Sequence, residues 1–368
     1  MDLKQYGAKL KTARLACGFT LDAVAQRMDG GVTKQALSQY ENGKIKPSPL
    51  NELQLCLIYD IRKETLYEQA ARITDIAEVK MRPGISLNRR DYGKASAEIL
   101  RTVNDREVLF GDLGIMPFTP FADMALPVVP GFPDDGSAYK DFIAGRKYFT
   151  VGTEKDARAV RSMFGLNMLL PVPSVCDLIE QTGIVPVPLD LTDFTGASGY
   201  CAGIPFIAYS SVGKHTEQRW TIVYEFARLL LSGSGIKESD GDTVFCRKAV
   251  DMFCELFARE FLFPQEAVNR VMLLTTKTIS RHHIADCEFA YMISTFGLPS
   301  RELLNKLYYG GIIPRALYFG SIALTKAAGG NVLTDTDYAR EEEPTLYRRC
   351  LECCRAEGIM VSLPGLNE

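Results

Sequence analysis

The sequence contains very little histidine, with three His among 368 residues. His215, His282 and His283 do not include a pair four residues apart, which excludes a helical two-histidine metal motif. No apolar run approaches the ~20 residues of a membrane span, and the N-terminal Met-Asp-Leu-Lys lacks the apolar core of a signal peptide. We therefore expect a cytoplasmic protein with no membrane partner.

The ten cysteines lack a repeating spacing, which favours reduced thiols over a disulfide framework. The cluster Cys350-x-x-Cys353-Cys354 has metal-like spacing, but no second pair accompanies it. On a helix these three thiols share one face, so we expect them to pack as core. A second set of candidate ligands is more typical of a helix surface or a helix start, and comprises His282, His283 and Cys287. No metal or cofactor is expected.

Composition and charge indicate a soluble globular protein with a basic N-terminal part. The chain is 46% hydrophobic and 24% charged, and 368 residues suffice for two or three domains. The net charge of -3 argues against a protein that coats nucleic acid. Met1 to Ser48, however, holds eight Lys/Arg against four Asp/Glu, a local charge of +4. A charge of +4 neutralises few phosphates, so if this part binds DNA we expect a homodimer that reads two half-sites.

A short helix near the N-terminus carries the residues expected to contact DNA. Thr33 is a good N-cap for the stretch from Val32 to Ser48. The apolar residues of this stretch share one side of the helix and are Ala36, Leu37 and Tyr40. The opposite side is polar and consists of Lys34, Gln35, Ser38 and Gln39. Gln can bond an adenine edge and Lys can reach guanine acceptors, so this side suits the major groove. Asn42-Gly43 ends the helix, and Lys44 and Lys46 follow where a phosphate strand would pass.

Met1 to about Gln69 resembles the XRE (Cro/C1-type) helix-turn-helix domain of phage repressors and bacterial regulators. The matching positioning helix is Leu21 to Met28, and the matching recognition helix is Thr33 to Asn42. The resemblance implies a five-helix lambda-repressor-like domain. It also implies base contacts by Lys34, Gln35 and Gln39, and phosphate contacts by Asn42 and Lys44. Two departures are Leu21, where the family often has Gln, and a turn lengthened by Asp29-Gly30-Gly31.

The rest of the chain is predicted to be mainly helical with a small antiparallel sheet. The leucines expected to add apolar bulk to the closing helices of the first domain are Leu50, Leu53, Leu55, Leu57 and Leu66. Residues 70–82 are helix-permissive, Asn88 to Leu109 predicts a helix, and the five prolines of Met116 to Ser137 predict an extended segment. Further helices are expected at 153–165 and 172–183, an edge strand at 184–191, and strands at 196–200 and 205–210. The predicted domains are 1–69, a helical arm and Pro-rich linker at 70–152, 153–313, and a helical extension at 314–368.

An apolar helix from Trp220 to Leu231 follows the predicted strand pair, and its surroundings resemble the ImmA/IrrE metallopeptidase-like family, formerly DUF955. The resemblance covers about Thr153 to Ile313. It includes Thr195-Gly-Ala-Ser-Gly199, Phe257-Ala-Arg-Glu-Phe-Leu-Phe-Pro264 and Phe296-Gly-Leu-Pro-Ser300. It implies an α+β zincin-like domain, and an XRE domain is a common fusion partner of this family.

The catalytic residues of that family are not preserved. Its HExxH motif places two histidines on zinc with a Glu beside the bound water, and here the histidine positions are Tyr224 and Arg228. Only Glu225 is kept, and the third ligand aligns with Phe253. Arg cannot donate a lone pair to zinc and Phe has no ligand atom, so we expect no enzyme activity. The former pocket is expected either to hold a Glu225-Arg228 pair as filled core or to bind an anionic ligand.

Two functional classes stay open. The first is a sequence-specific transcriptional regulator that binds a double-stranded DNA operator, acting as a repressor of a mobile-element, prophage or stress operon. Its pseudo-peptidase domain would serve dimerisation or the sensing of a small anionic ligand or protein partner. The alternative is a metallopeptidase that cleaves a repressor protein with non-standard metal ligands. The zinc content of the purified protein distinguishes the two.

Overall fold

The computed structural model describes residues 3–28, 31–59, 61, 66, 78–81, 89–115, 120–124, 126, 139–233, 244–275, 285–327 and 342–357. The chain forms two compact units. The first unit comprises Met1–Pro117, Gly183–Ala208 and Pro344–Glu368, and the second comprises Phe118–Thr182 and Tyr209–Glu343. Among the helices that are described, none has the length and apolarity needed to cross a membrane.

The first unit begins with four helices: α1 (Leu3–Ala16), α2 (Leu21–Ala25), α3 (Lys34–Glu41) and α4 (Pro49–Tyr59). Thr20 and Thr33 adopt extended backbone and cap α2 and α3 with their hydroxyl oxygens. The helices bury a common core that includes Tyr6, Leu10, Val24, Leu37 and Leu55. A lambda-repressor-like arrangement was predicted with five helices, and the fifth falls mostly on residues outside the described ranges.

The prediction that all five leucines of the closing helices supply core is wrong for three of them. Leu55 and Leu66 are buried, but Leu50, Leu53 and Leu57 are 66%, 51% and 74% exposed. These three residues are spaced i, i+3 and i+7 along α4, which places them on one face of the helix. Apolar composition alone did not reveal that α4 buries only its other face.

Four strands form one sheet: β1 (Glu78–Met81), β2 (Val185–Leu189), β3 (Gly196–Cys201) and β4 (Ile204–Ser210). Their order is β1-β3-β4-β2, so the proline-containing β2 lies at an edge, as predicted. Strand β1 pairs antiparallel with β3, with Glu78 opposite Tyr200 and Met81 opposite Ala197. The helix-permissive interpretation of residues 70–82 is therefore wrong for 78–81, because a partner strand more than a hundred residues away takes up their backbone groups.

Two further helices are described in the first unit. Helix α5 (Arg89–Leu113) packs on β2, and its residues Ala95, Ile99 and Val103 join the apolar core of the sheet. Helix α14 (Thr345–Glu357) packs on α5 through Cys354, which is 1% exposed. Cys353 is exposed, so the expectation that all three C-terminal thiols pack as core is wrong for this residue.

The second unit is helical. Its elements are a 3-10 turn (Phe121–Asp123), α6 (Tyr139–Met163), α7 (Val175–Gln181), α8 (His215–Gly233), α9 (Val244–Leu262), α10 (Gln265–Thr275), α11 (Asp286–Phe296), α12 (Ser300–Tyr309) and α13 (Arg315–Ala327). Helix α9 packs between α6 and α8. The helices predicted at 153–165 and 172–183 are confirmed, although α6 begins earlier. Most of the Pro-rich segment, together with His282 and His283, lies outside the described residues.

Candidate functional site

Helix α3 presents a polar outer face on a buried apolar base. Leu37 is 2% exposed and anchors the helix in the core, whereas Lys34, Gln35 and Gln39 are exposed. The Oγ1 of Thr33 accepts a hydrogen bond from the backbone N–H of Ala36 at 3.2 Å, which fixes the first turn. The side chains predicted to read bases are therefore carried on a helix whose start and base are both held in place.

A buried ion pair ties α3 to α1. The Nε and Nη2 atoms of Arg14 donate to the two carboxylate oxygens of Glu41 at 2.5 and 2.9 Å, and Nη1 donates to the carbonyl oxygen of Phe19 at 2.8 Å. Both side chains are less than 10% exposed. Such a bidentate pair fixes orientation as well as distance. Sequence reasoning missed this ion pair, because Glu41 lies in a polar stretch of the sequence that is typical of an exposed helix end.

The end of α3 is equally ordered. The Nδ2 of Asn42 donates to the carbonyl oxygen of Ser38 at 2.8 Å. Gly43 follows with φ +64°, and a Cβ there would lie 2.5 Å from the Cα of Lys4. Only glycine adopts this positive φ without strain and has no Cβ to collide with Lys4. Lys44 and Lys46 are exposed beyond this turn, in the positions predicted for phosphate contacts.

A second cluster lies on α8, where Tyr224, Glu225 and Arg228 are 4%, 0% and 5% exposed. Arg228 Nη1 lies 3.9 Å from Glu225 Oε2, within the distance of an ion pair. By the family resemblance described above, Arg228 stands at the position expected for the second histidine of HExxH. Because Arg has no lone pair to donate, this position cannot ligate zinc.

Tyr224 is engaged by a carboxylate from α9. Its Oη donates to Oδ1 of Asp251 at 2.5 Å. Burial, reinforced by nearby Cys254 and by Asp251, raises the pKa of Tyr224 well above its usual range. The phenol therefore stays protonated and acts as a hydrogen-bond donor.

Phe253, which the family resemblance places at the third metal ligand, lies in an aromatic core instead. It is 0% exposed, with its ring centroid 5.9 Å from that of Phe257 and 6.5 Å from that of Phe149. Residues two apart point to different sides of a helix, so Asp251 faces Tyr224 while Phe253 does not. Asp251 is the residue that sequence reasoning missed, and its carboxylate two positions before Phe253 was the available signal.

The residues present do not fit the zinc site of the family. In the described part of the chain, no group of three or more His, Cys, Asp or Glu side chains is arranged to hold a metal ion. The α8 cluster instead combines a phenol donor, two carboxylates and a guanidinium, a set suited to hydrogen bonding and ion pairing.

A buried carboxylate outside this cluster also contacts α8. Both Arg219 and Glu342 have side chains that are 0% exposed, and Nη1 of Arg219 donates to Oε1 of Glu342. Oε2 of Glu342 accepts from the backbone N–H groups of Val175 and Cys176 at 2.8 and 3.0 Å and from Oγ of Ser174 at 3.2 Å. Glu342 is thus a structural anchor that sequence reasoning missed.

Comparison with known families agrees with both expected domains. Residues 10–65 match the family model described as Helix-turn-helix, and residues 179–291 match the one described as IrrE N-terminal-like domain. The predicted fusion of an XRE-type domain to an ImmA/IrrE-like domain is thereby confirmed. Neither the curated proteins nor the solved structures yielded a match.

Proposed function

We propose that this chain, which joins a helix-turn-helix segment to an IrrE-like segment, is a sequence-specific regulator that binds double-stranded DNA as a homodimer. The observation that carries the proposal is the exposed polar face of α3, on a helix held by the Arg14–Glu41 pair and by the Thr33 cap. Amide and ammonium donors on a rigid helix are the chemistry that reads base edges in the major groove.

Selection of bound sequences from a random DNA pool tests this proposal. Gln35→Ala and Gln39→Ala should each weaken binding to the selected site by about 1 to 3 kcal/mol, with less change on random duplex, because each removes a base contact. Gln26→Ala is the matched control, since it removes an exposed amide from the C-cap of α2 instead of from α3. Equal losses on both DNAs for the α3 variants would contradict a base-reading role.

The dimer is supported by two features of the first unit. Residues Met1 to Ser48 carry a charge of +4 and neutralise few phosphates, so one copy binds DNA weakly. Two copies bound to adjoining half-sites would give a higher affinity. Leu50, Leu53 and Leu57 also form an exposed apolar stripe on α4. Leu53→Glu should shift the sedimentation of the protein from dimer to monomer and reduce operator affinity. A dimer that persists in this variant would assign the contact to another surface, and a selected site without two-fold symmetry would contradict the dimer itself.

The IrrE-like segment is proposed to be a pseudo-peptidase. The support is ligand chemistry, because the Tyr224 hydroxyl donates a hydrogen bond to Asp251 and Arg228 is a permanent cation. Protein purified with added zinc should then lack stoichiometric metal at this site. Zinc at one ion per chain that is lost in Glu225→Gln, together with zinc-dependent proteolysis, would favour the alternative of a metallopeptidase that cleaves a repressor.

We further propose that the regulator is a repressor of a mobile-element, prophage or stress operon, and that the α8 cluster senses a small anionic ligand or protein partner. Arg is suited to bidentate recognition of carboxylate or phosphate, which supports the sensing role. Reporter expression from the selected operator measures both the repression and its response to an inducing signal. Arg228→Ala should give constitutive or uninducible expression in a folded protein, whereas wild-type behaviour would indicate a filled core.

A further inference from the structure

The first residue of α3 makes an ion pair with α2. Nζ of Lys34 lies 2.7 Å from Oδ2 of Asp22, and the two side chains are 58% and 61% exposed. Lys34 stands at the N-terminal end of the helix, the part of a recognition helix that contacts base edges. An acidic side chain is therefore placed next to the foremost cation of the surface that we propose to face DNA.

An exposed ion pair of this kind adds little to folding stability. Its effect is therefore expected on DNA binding by Lys34. The ammonium of Lys34 has three donors, and one bond to Asp22 leaves two for guanine O6 and N7. A lysine whose charge is already balanced gains less from a phosphate than a free lysine does, because fewer counterions are released. The pair therefore weakens the attraction of Lys34 to the DNA backbone while it leaves two donors for a base edge.

From this geometry we propose that Asp22 is a positioning residue that determines specificity by withholding Lys34 from phosphates. The inference rests on the proposed DNA-binding function. It predicts that loss of the carboxylate raises affinity for random duplex more than affinity for the selected operator.

The test measures the affinity of Asp22→Asn and Asp22→Ala for operator and for random duplex over a range of salt concentrations. A freed Lys34 should add one phosphate contact, which steepens the salt slope on random duplex by about 0.9 and raises that affinity about fivefold to tenfold at 0.1 M salt. Operator affinity should change about twofold or less, so the ratio of specific to non-specific binding falls. The selected sequence should also become less constrained at the base pair that Lys34 contacts.

Two controls separate positioning from simple charge removal. Glu98→Gln removes an acid whose side chain is 39% exposed and which pairs with Arg101 at 3.1 Å on α5, outside residues 10–65, and it should leave the salt slope unchanged. Asp22→Asn in the Lys34→Ala background should likewise not steepen the slope, because no lysine is released. Thermal unfolding should show that every variant is folded.

The outcomes are distinct. A slope that steepens only when Lys34 is present supports the inference. The same change with and without Lys34, or no change in either Asp22 variant, overturns it while the proposed function stands. A wild-type protein that shows no preference for any sequence overturns the proposed function and this inference together.

Discussion

Removal of the Glu342 carboxylate should strongly destabilise the second unit. Its four hydrogen-bond donors are the Arg219 guanidinium, two backbone N–H groups and a hydroxyl, and both charged side chains are fully buried. Breaking a buried pair by removing one partner costs about 3 to 5 kcal/mol, because the remaining charge stays buried without its counterion. Glu342→Gln should cost nearly as much as Glu342→Ala, since the neutral amide offers Arg219 no negative charge.

Tryptophan fluorescence during urea unfolding measures this effect directly. The sequence contains one tryptophan, Trp220, which is 6% exposed and adjacent to Arg219, so its emission reports on this unit. With a denaturant dependence of about 2 kcal/mol per molar, the unfolding midpoint of Glu342→Gln should fall by roughly 2 M urea. Glu352→Gln, which removes an exposed acid on α14, should shift it very little.

A midpoint for Glu342→Gln close to that of Glu352→Gln would refute the reasoning. A second comparison guards against a general loss of packing. The double variant Arg219→Met with Glu342→Leu should recover only part of the lost stability, because it removes the unpaired charge but leaves the backbone N–H groups of Val175 and Cys176 without an acceptor.

Three further predictions concern other parts of the chain. Gly43→Ala should lower the unfolding free energy of the helix-turn-helix region by about 2 kcal/mol or more, because the φ of Gly43 is +64° and a Cβ would lie 2.5 Å from the Cα of Lys4. Thermal unfolding followed by circular dichroism measures this loss, and unchanged stability would contradict the close approach. Tyr224→His combined with Arg228→His should create zinc binding at about one ion per chain, since Asp251 then supplies a carboxylate beside two imidazoles. Metal analysis after dialysis measures the bound zinc, and its absence would place Asp251 too far away to act as a ligand. Phe253→Ala should destabilise the second unit by about 3 to 5 kcal/mol as read by Trp220, whereas a small effect would mean that the ring is not packed in the core.

Local patterns in the sequence were sufficient for several elements. The Thr33 cap, the apolar base and the Asn42-Gly43 end define α3 within about ten residues, because capping and helical periodicity depend only on near neighbours. The edge position of β2 was likewise predictable, because proline cannot donate to a strand ladder. The family resemblance of both segments also came from contiguous motifs.

Tertiary structure decided the features that join distant residues. Strand β1 forms because β3 pairs with it, and the carboxylate of Glu342 reaches Arg219 across 123 positions. Asp251, and not Phe253, contacts Tyr224 because of the rotation of α9 about its axis against α8. A single sequence does not specify that rotation. Such pairings follow from the path of the whole chain, because each buried polar group must find its partner wherever packing brings one.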